Sequence, residues 1–183
     1  MISREQAVAD AAPAVRRHVG VSSTLADEYR TFMSSFPTGV AVVTALDARG
    51  EPHGLTCTSI SSVTLRPPTL LACIDVHSGT LAAIEDRGTF GVNLLSITAR
   101  SAAKLFASPT ADRFSQVSWR RAHLGSPWLF RDAFALAECR VTATALVGDH
   151  RVVFGEVAGL TNALGAPLLY SRRQFGSWRP SRA

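Results

Sequence analysis

Gly54-Leu55-Thr56-Cys57-Thr58-Ser59-Ile60-Ser61-Ser62-Val63-Thr64-Leu65-Arg66-Pro67-Pro68 is the stretch on which the reading of this chain turns. It is dense in Ser and Thr, yet it stands between two apolar segments, residues 40–45 and 69–76. Small hydroxyl side chains add little bulk and offer many hydrogen-bond partners. On a strand, they let a flat polar ligand lie close to the backbone. The competing reading is a Ser/Thr-rich surface strand, because Thr favours strands in any case.

Outward from this run, the pattern is that of strands and tight turns. Residues 40–45 form a β-branched strand, Asp47-Ala48-Arg49-Gly50 a turn, and residues 52–63 the returning strand of a β-hairpin. Pro67-Pro68 breaks the chain, and Thr-Leu-Leu-Ala-Cys-Ile-Asp-Val over 69–76 reads as a strand buried on both faces. Upstream, Tyr29, Phe32, Met33 and Phe36 recur at helical spacing, with Asp27 and Glu28 near the start and Pro37 as the stop. Downstream, Ser78 is a natural N-cap for a short helix ending near Gly88. Residues 90–95 read as a strand and 98–107 as a helix. Residues 112–127 are irregular, with Phe114 and Trp119 as anchors. Two long strands, 135–147 and 152–160, flank the turn Gly148-Asp149-His150, and 168–170 is a last strand. The fold class is mainly β with short helices, and an antiparallel sheet of this many strands is expected to close into a small barrel.

A chain of 183 residues with 46% apolar and 18% charged residues holds one domain with ample core. We expect an N-terminal extension at 1–24, a frayed arm or short helix, then a domain at 25–178 and a tail at 179–183. Residues 1–20 lack the apolar core of a secretory signal; Arg16, Arg17 and Ser22 suit a transit peptide, but Glu5 and Asp10 oppose it. No apolar run reaches the ~18 residues that span a bilayer, so no membrane association is expected. Cys57, Cys73 and Cys139 have no metal-ligand spacing, and the five His residues form no ligand cluster, so no metal is expected. Three unpaired thiols suit a reducing cytoplasm. The net charge of +5 is spread over Arg pairs and not gathered into a stripe with aromatics, which argues against nucleic acid and suits phosphorylated small molecules.

Dinucleotide glycine fingerprints, a P-loop and a Gly-x-Ser-x-Gly elbow are all absent. What remains are small polar segments at strand ends: Pro37-Thr38-Gly39, the Thr56–Ser62 run, His77-Ser78-Gly79-Thr80 and Gly148-Asp149-His150. Ser78 and Thr80 open a helix, where free N–H groups could receive a phosphate; plain helix capping is the commoner use of such residues.

In their order and spacing these residues resemble the flavin reductase family, the short-chain reductase components of two-component flavin monooxygenases. The resemblance runs through Phe36-Pro37-Thr38-Gly39-Val40, Val42-Val43-Thr44, Pro52-His53-Gly54 and the Ser/Thr run. It continues in Phe90-Gly91-Val92-Asn93-Leu94-Leu95, Leu136-Ala137-Glu138-Cys139-Arg140-Val141, Gly148-Asp149-His150, Val153-Phe154-Gly155-Glu156-Val157 and Pro167-Leu168-Leu169-Tyr170, covering about residues 26–178. It implies a homodimeric, Greek-key-like split β-barrel that binds FMN or FAD and reduces it with NADH or NADPH, supplying a partner flavin-dependent monooxygenase. It also implies that Pro37, Thr38, Gly39 and Val40 border the flavin, and that Thr56, Cys57, Thr58 and Ser59 run along the ring edge, followed by Ser62 and Val63. Ser78 and Thr80 would meet the phosphate or ribityl chain, Asn93 and Leu94 would flank it, and His150 would lie near the nicotinamide. Two departures stand out. Cys57-Thr58-Ser59 replaces the family's common Ala-Asn-Ser, and Gly79 replaces a common basic residue. The alternatives are a flavin- or haem-binding split barrel without turnover, and a basic nucleic-acid-binding barrel.

Overall fold

In chain order, the computed structural model contains α1 (Leu25–Ser34), β1 (Thr38–Gly39), β2 (Ala41–Leu46), β3 (Pro52–Cys57), β4 (Ile60–Leu65), β5 (Pro68–Asp75), α2 (Gly79–Arg87) and β6 (Thr89–Leu95). Then follow α3 (Arg100–Ala107), β7 (Arg120–Arg121), β8 (Pro127–Trp128), β9 (Ala133–Val147), β10 (His150–Asn162), β11 (Leu168–Ser171) and β12 (Gln174–Ser177). The structure describes residues 25–178; the expected arm at 1–24 and the tail at 179–183 lie outside the described residues. The chain divides into two units, Met1–Met33 and Ser34–Ala183. In the first, the described residues belong to α1, with Asp27 and Glu28 in its first turn. The second holds all the strands.

Strand β2 is the spine of the second unit, buried at all six positions. Successive side chains of a strand point to opposite faces. Ala41, Val43 and Ala45 therefore enter one core with Ile74, Ile84, Phe90, Val92 and Val153. Val40 and Val42 enter another with Leu95, Ala103, Phe106, Leu129 and Leu168. Burying one such large aliphatic or aromatic side chain is worth roughly 1.5–3 kcal/mol. The second core packs the apolar face of α3, formed by Ala102, Ala103 and Phe106, onto the outer side of the barrel.

The main sheet runs β3-β2-β6-β9-β10-β5-β4, with its recorded pairings antiparallel, and it is curled by one short link. Strands β3 and β4 stand at opposite ends of this order yet are separated only by Thr58 and Ser59. From Cys57 to Ile60 is three residue steps, which span at most ~11 Å. The two edges must therefore meet, and the sheet becomes a barrel. Two expectations are corrected here. Residues 52–63 are not one returning strand: the chain leaves β2 at Cys57 and joins β5 at Ile60. The barrel also does not close its ladder, because no recorded pairing joins β3 to β4; the Ser59 carbonyl instead accepts from the Cys73 N–H at 3.1 Å.

Two register shifts bend β10 against β9, at Phe154/Gly155 and Val157/Gly159. At the first, Phe90 lies against bare backbone: a Cβ on Gly155 would stand 2.5 Å from the ring. The turn between β9 and β10 is shorter than expected. His150 pairs with Val147 as the first residue of β10, so its ring direction is set by the ladder rather than by a loose turn. A smaller sheet, β1-β11-β12, borders the second core through Val40 and Leu168.

Candidate functional site

The start of β3, the β5–α2 turn and the segment following α3 enclose a cleft of about 890 Å³. Gly54 makes one wall thin enough for Phe106, since a Cβ there would lie 2.9 Å from the ring. Phe106, Phe114 and Trp119 then stack edge to face at 5.1 and 5.6 Å, which fixes the irregular segment. Arg113 is clamped across the floor, its Nη1 donating to the Gly54 carbonyl at 2.9 Å and its Nη2 to that of Ser108. Its Nε is buried without a protein partner. His53 forms part of the wall and contacts Asp47 at 3.2 Å. The Glu51 backbone N–H, with smaller contributions from His53 and the Arg49 N–H, holds the Asp47 carboxyl below the usual carboxylate range.

The mouth of α2 is organised by short bonds. The Thr80 N–H donates to Ser78 Oγ at 3.2 Å, and the His77 N–H to Asp75 Oδ1 at 2.7 Å. The tip of the β9–β10 hairpin is tied to the same turn, with the Val76 N–H donating to the Asp149 carbonyl at 3.0 Å. His150 Nδ1 lies 2.8 Å from Asp149 Oδ1, a contact that holds the Asp149 carboxyl low. Residues 75–80 and 148–150, far apart in sequence, thus form one rim.

A second cleft of about 450 Å³ adjoins the first and shares Ala107 and Ser108 with it. Its other lining residues are Val40, Thr56, Thr58, Ala103, Lys104, Tyr170, Arg173 and Phe175. Thr56 is fixed by donating to the Ala103 carbonyl at 2.7 Å, and Tyr170 and Phe175 pack at 5.2 Å.

The structure thus brings together some of the expected residues and separates others. Ser78 and Thr80 line the large cleft; Val40, Thr56 and Thr58 line the smaller one. Ser78 Oγ is engaged as a helix cap, and Thr80 is buried. Thr38 and Gly39 pair with Tyr170 and Leu169, immediately after Pro37 and beside the smaller cleft's aromatic wall. Ser59 sits exposed at the barrel seam. Cys57 points the other way, into the barrel core. Ser62 and Leu94 line a third groove of about 300 Å³ on the far side of the sheet, and Val63 is exposed on β4 nearby. Asn93 reaches no cleft: its Nδ2 faces the Val42 carbonyl, Thr44 Oγ1 and the Pro127 carbonyl at 3.0–3.2 Å, and its Oδ1 accepts from the Leu129 N–H at 2.9 Å. Lys104, Arg113, Tyr170, Arg173 and Phe175 line the clefts without a site role read from sequence, and so does His53. The Arg172-Arg173 pair before an aromatic was the available signal for the smaller cleft.

Burial pushes the Cys57 thiol up to about 11 and the Cys139 thiol up to about 12. We expect a thiolate-directed alkylating agent at about pH 8 to modify at most Cys73 in the native protein, and all three thiols after denaturation. Native labelling of Cys57 would contradict its inward placement. Because both folded values lie above the unfolded one near 9, the neutral thiols' contribution to stability is complete below pH ~9 and is lost as pH rises towards 11 and 12.

Volumes of 450 and 890 Å³ lie within the ~300–1,000 Å³ of cofactor sites. The hydroxyls, the clamped Arg113 with its unpartnered Nε and the aromatic walls suit a planar ring carrying a polar tail. Among the described residues, no three potential metal ligands come together, and no helix is long and apolar enough to cross a membrane.

Comparison with known proteins agrees with this geometry. The family model described as "Flavin reductase like domain" matches residues 33–179. The chain is 51% identical over 162 residues to a flavin reductase (NADPH) of Lentzea aerocolonigenes, covering 88% of this chain and 94% of that protein. It is 43% identical over 155 residues to a flavin reductase (NADH) of Kitasatospora aureofaciens, covering 83% and 81%. Among solved structures, the NADH:FAD oxidoreductase SgcE6 of Streptomyces globisporus C-1027, in complex with NAD and FAD fragments, superposes with a TM-score of 0.82 at 30% identity, covering 91% of this chain and all of that one. The split barrel, the paired clefts along β3 and α3, and these likenesses lead to one conclusion: the chain belongs to the flavin reductase family.

Proposed function

We propose that this protein reduces FMN or FAD with NADH or NADPH and releases the reduced flavin to a partner flavin-dependent monooxygenase. The observation that carries the reading is the pair of contiguous clefts joined at Ala107 and Ser108, in a chain so close to known flavin reductases. A bound flavin supplies the two-electron chemistry, so the protein needs few acid–base groups of its own. Thr56 and Thr58 offer a hydroxylated wall, Phe106 and Phe114 an apolar one, and Arg113 a fixed positive charge. His150, held by Asp149 at the rim, would orient the nicotinamide. Pro37, Thr38 and Gly39 keep their proposed places at the flavin border, beside Tyr170.

Purified protein is expected to oxidise reduced nicotinamide only when FMN or FAD is added. If neither NADH nor NADPH is consumed with either flavin, the reading is wrong; tight flavin binding without turnover would instead favour a carrier. For His150→Ala, we expect about a tenfold rise in KM for the nicotinamide, the size of one lost hydrogen bond of ~1.4 kcal/mol, with flavin affinity changed less than about twofold. Equal losses of both would remove the assigned role.

A homodimer suits the third groove. Leu65, Leu160, Val63 and Leu94 are exposed around it by 79%, 66%, 47% and 40%. A second copy covering this face would bury them, and would place Ser62, Val63 and Leu94 at the interface. Three free cysteines suit a reducing cytoplasm.

A further inference from the structure

We infer that the smaller cleft is the phosphate-recognition end of the nucleotide site, where Lys104 and Arg173 take a phosphate ester of the bound nucleotide. The inference rests on the reductase reading and deepens it. The two clefts differ in charge. Among the described residues, the large one carries Glu51, Asp75 and Asp112 against Arg113, and the smaller carries Lys104 and Arg173 and no carboxylate. A phosphate placed at α2, beside Asp75, would meet like charge, whereas at the smaller cleft it would meet two cations. Among the described residues, neither Lys104 nor Arg173 is in an ion pair.

Arg173 is also presented at a conformational cost. Strands β11 and β12 join through Arg172 and Arg173 alone, with φ of 48° and 61°. Such a turn favours Asn-Gly. Two arginines there gain nothing from the turn itself, which points to what the side chain reaches. Tyr170 and Phe175 supply the apolar wall next to it, and the shared residues Ala107 and Ser108 let one extended nucleotide lie across both clefts. The phosphate has two sources, the flavin nucleotide or the 2′-phosphate of NADPH.

The test compares dissociation constants of riboflavin, FMN and FAD, and of NADH and NADPH, for the wild type, Lys104→Gln, Arg173→Gly and the double variant. Arg173→Gly removes the charge and relieves the positive φ, so its melting temperature should hold or rise; a purely structural Arg173 would lower it. Lys104→Gln keeps a good helix former on α3. We expect the preference for a phosphorylated ligand over its unphosphorylated counterpart to fall by about tenfold for each single variant. A fall in the riboflavin-to-FMN or riboflavin-to-FAD ratio assigns the flavin phosphate; a fall in the NADH-to-NADPH ratio assigns the 2′-phosphate. If none of these ratios moves, or the wild type shows no preference in any of them, the inference is overturned. A wild type that binds these ligands but does not turn over removes the reductase reading and leaves the ratios measurable.

Discussion

Asn93→Asp is expected to be largely unfolded at about pH 7.5 and to regain structure at about pH 4.5. Asn93 is fully buried, and its Nδ2 faces three oxygen acceptors, those of Val42, Thr44 and Pro127. Thr44 Oγ1 in turn donates to the Pro127 carbonyl at 2.7 Å, so the network joins β2, β6 and β8. A carboxylate there would keep the Leu129 N–H on one oxygen but turn the other towards three oxygens, with no cation among its described partners, and would stay protonated in the fold. Its folded pKa would lie above the unfolded ~3.9, so its contribution is present below that value and lost as pH rises. At ~1.4 kcal/mol per pH unit, neutral pH costs about 4 kcal/mol, a large share of the ~5–15 kcal/mol that holds a domain folded. Thermal unfolding by circular dichroism at the two pH values decides it. Equal destabilisation at both would mean the side chain is not enclosed as described. Asn93→Ala is the control: it removes the bonds without adding a charge, so its cost, about 2–4 kcal/mol, should not depend on pH.

Gly155→Ala should lower the melting temperature by roughly 6–12 °C, the equivalent of about 3 kcal/mol in a chain of this size. The new Cβ would fall 2.5 Å from Phe90 Cζ and 2.8 Å from Cys139 Cβ. Phe90 is fully buried among Ile74, Ile84 and Val153 and has little room to retreat. The register shift at Phe154/Gly155 brings the backbone onto that ring, so the substitution would attack the bend that curls the barrel. Gly39→Ala is the contrast, because a Cβ there meets nothing within 4 Å. Differential scanning calorimetry of both variants checks the pair; a Gly155 variant that melts with the wild type would place Phe90 elsewhere.

Signals carried by neighbouring residues proved legible. Ser78 is the N-cap of α2, and Gly88 ends that helix at a φ of 66°. The long hairpin is β9 and β10, and Phe114 and Trp119 anchor the irregular segment through Phe106. The family and its chemistry were also readable, because motif order survives where no single motif is decisive. The candidate site was legible only in part. Thr56 and Thr58 face a cleft while Cys57 between them faces the core, as strand alternation requires. The same polar type at Asn93 gave no hint that it ties strands together inside the protein, because its partners lie at Val42, Thr44, Pro127 and Leu129.

Periodicity, caps and turn residues act over a few positions, so they were enough for β2, β5, β6, β9, β10, β11, the helices and the antiparallel character of the sheet, whereas β3 and β4 read as one strand and the short β1, β7, β8 and β12 carried no such signal. Nothing within Thr56–Ser62 marks the place where the chain leaves one edge of the sheet for the other. Thr58 and Ser59 are as compatible with a continuous strand as with a crossing. The crossing is imposed by the pairing of β4 with β5 and of β3 with β2, contacts whose stabilisation arises only once distant segments have met. The same holds for the charge contrast between the clefts: Lys104 on a helix and Arg173 in a hairpin turn become one positive end only when α3 packs beside the β11–β12 sheet.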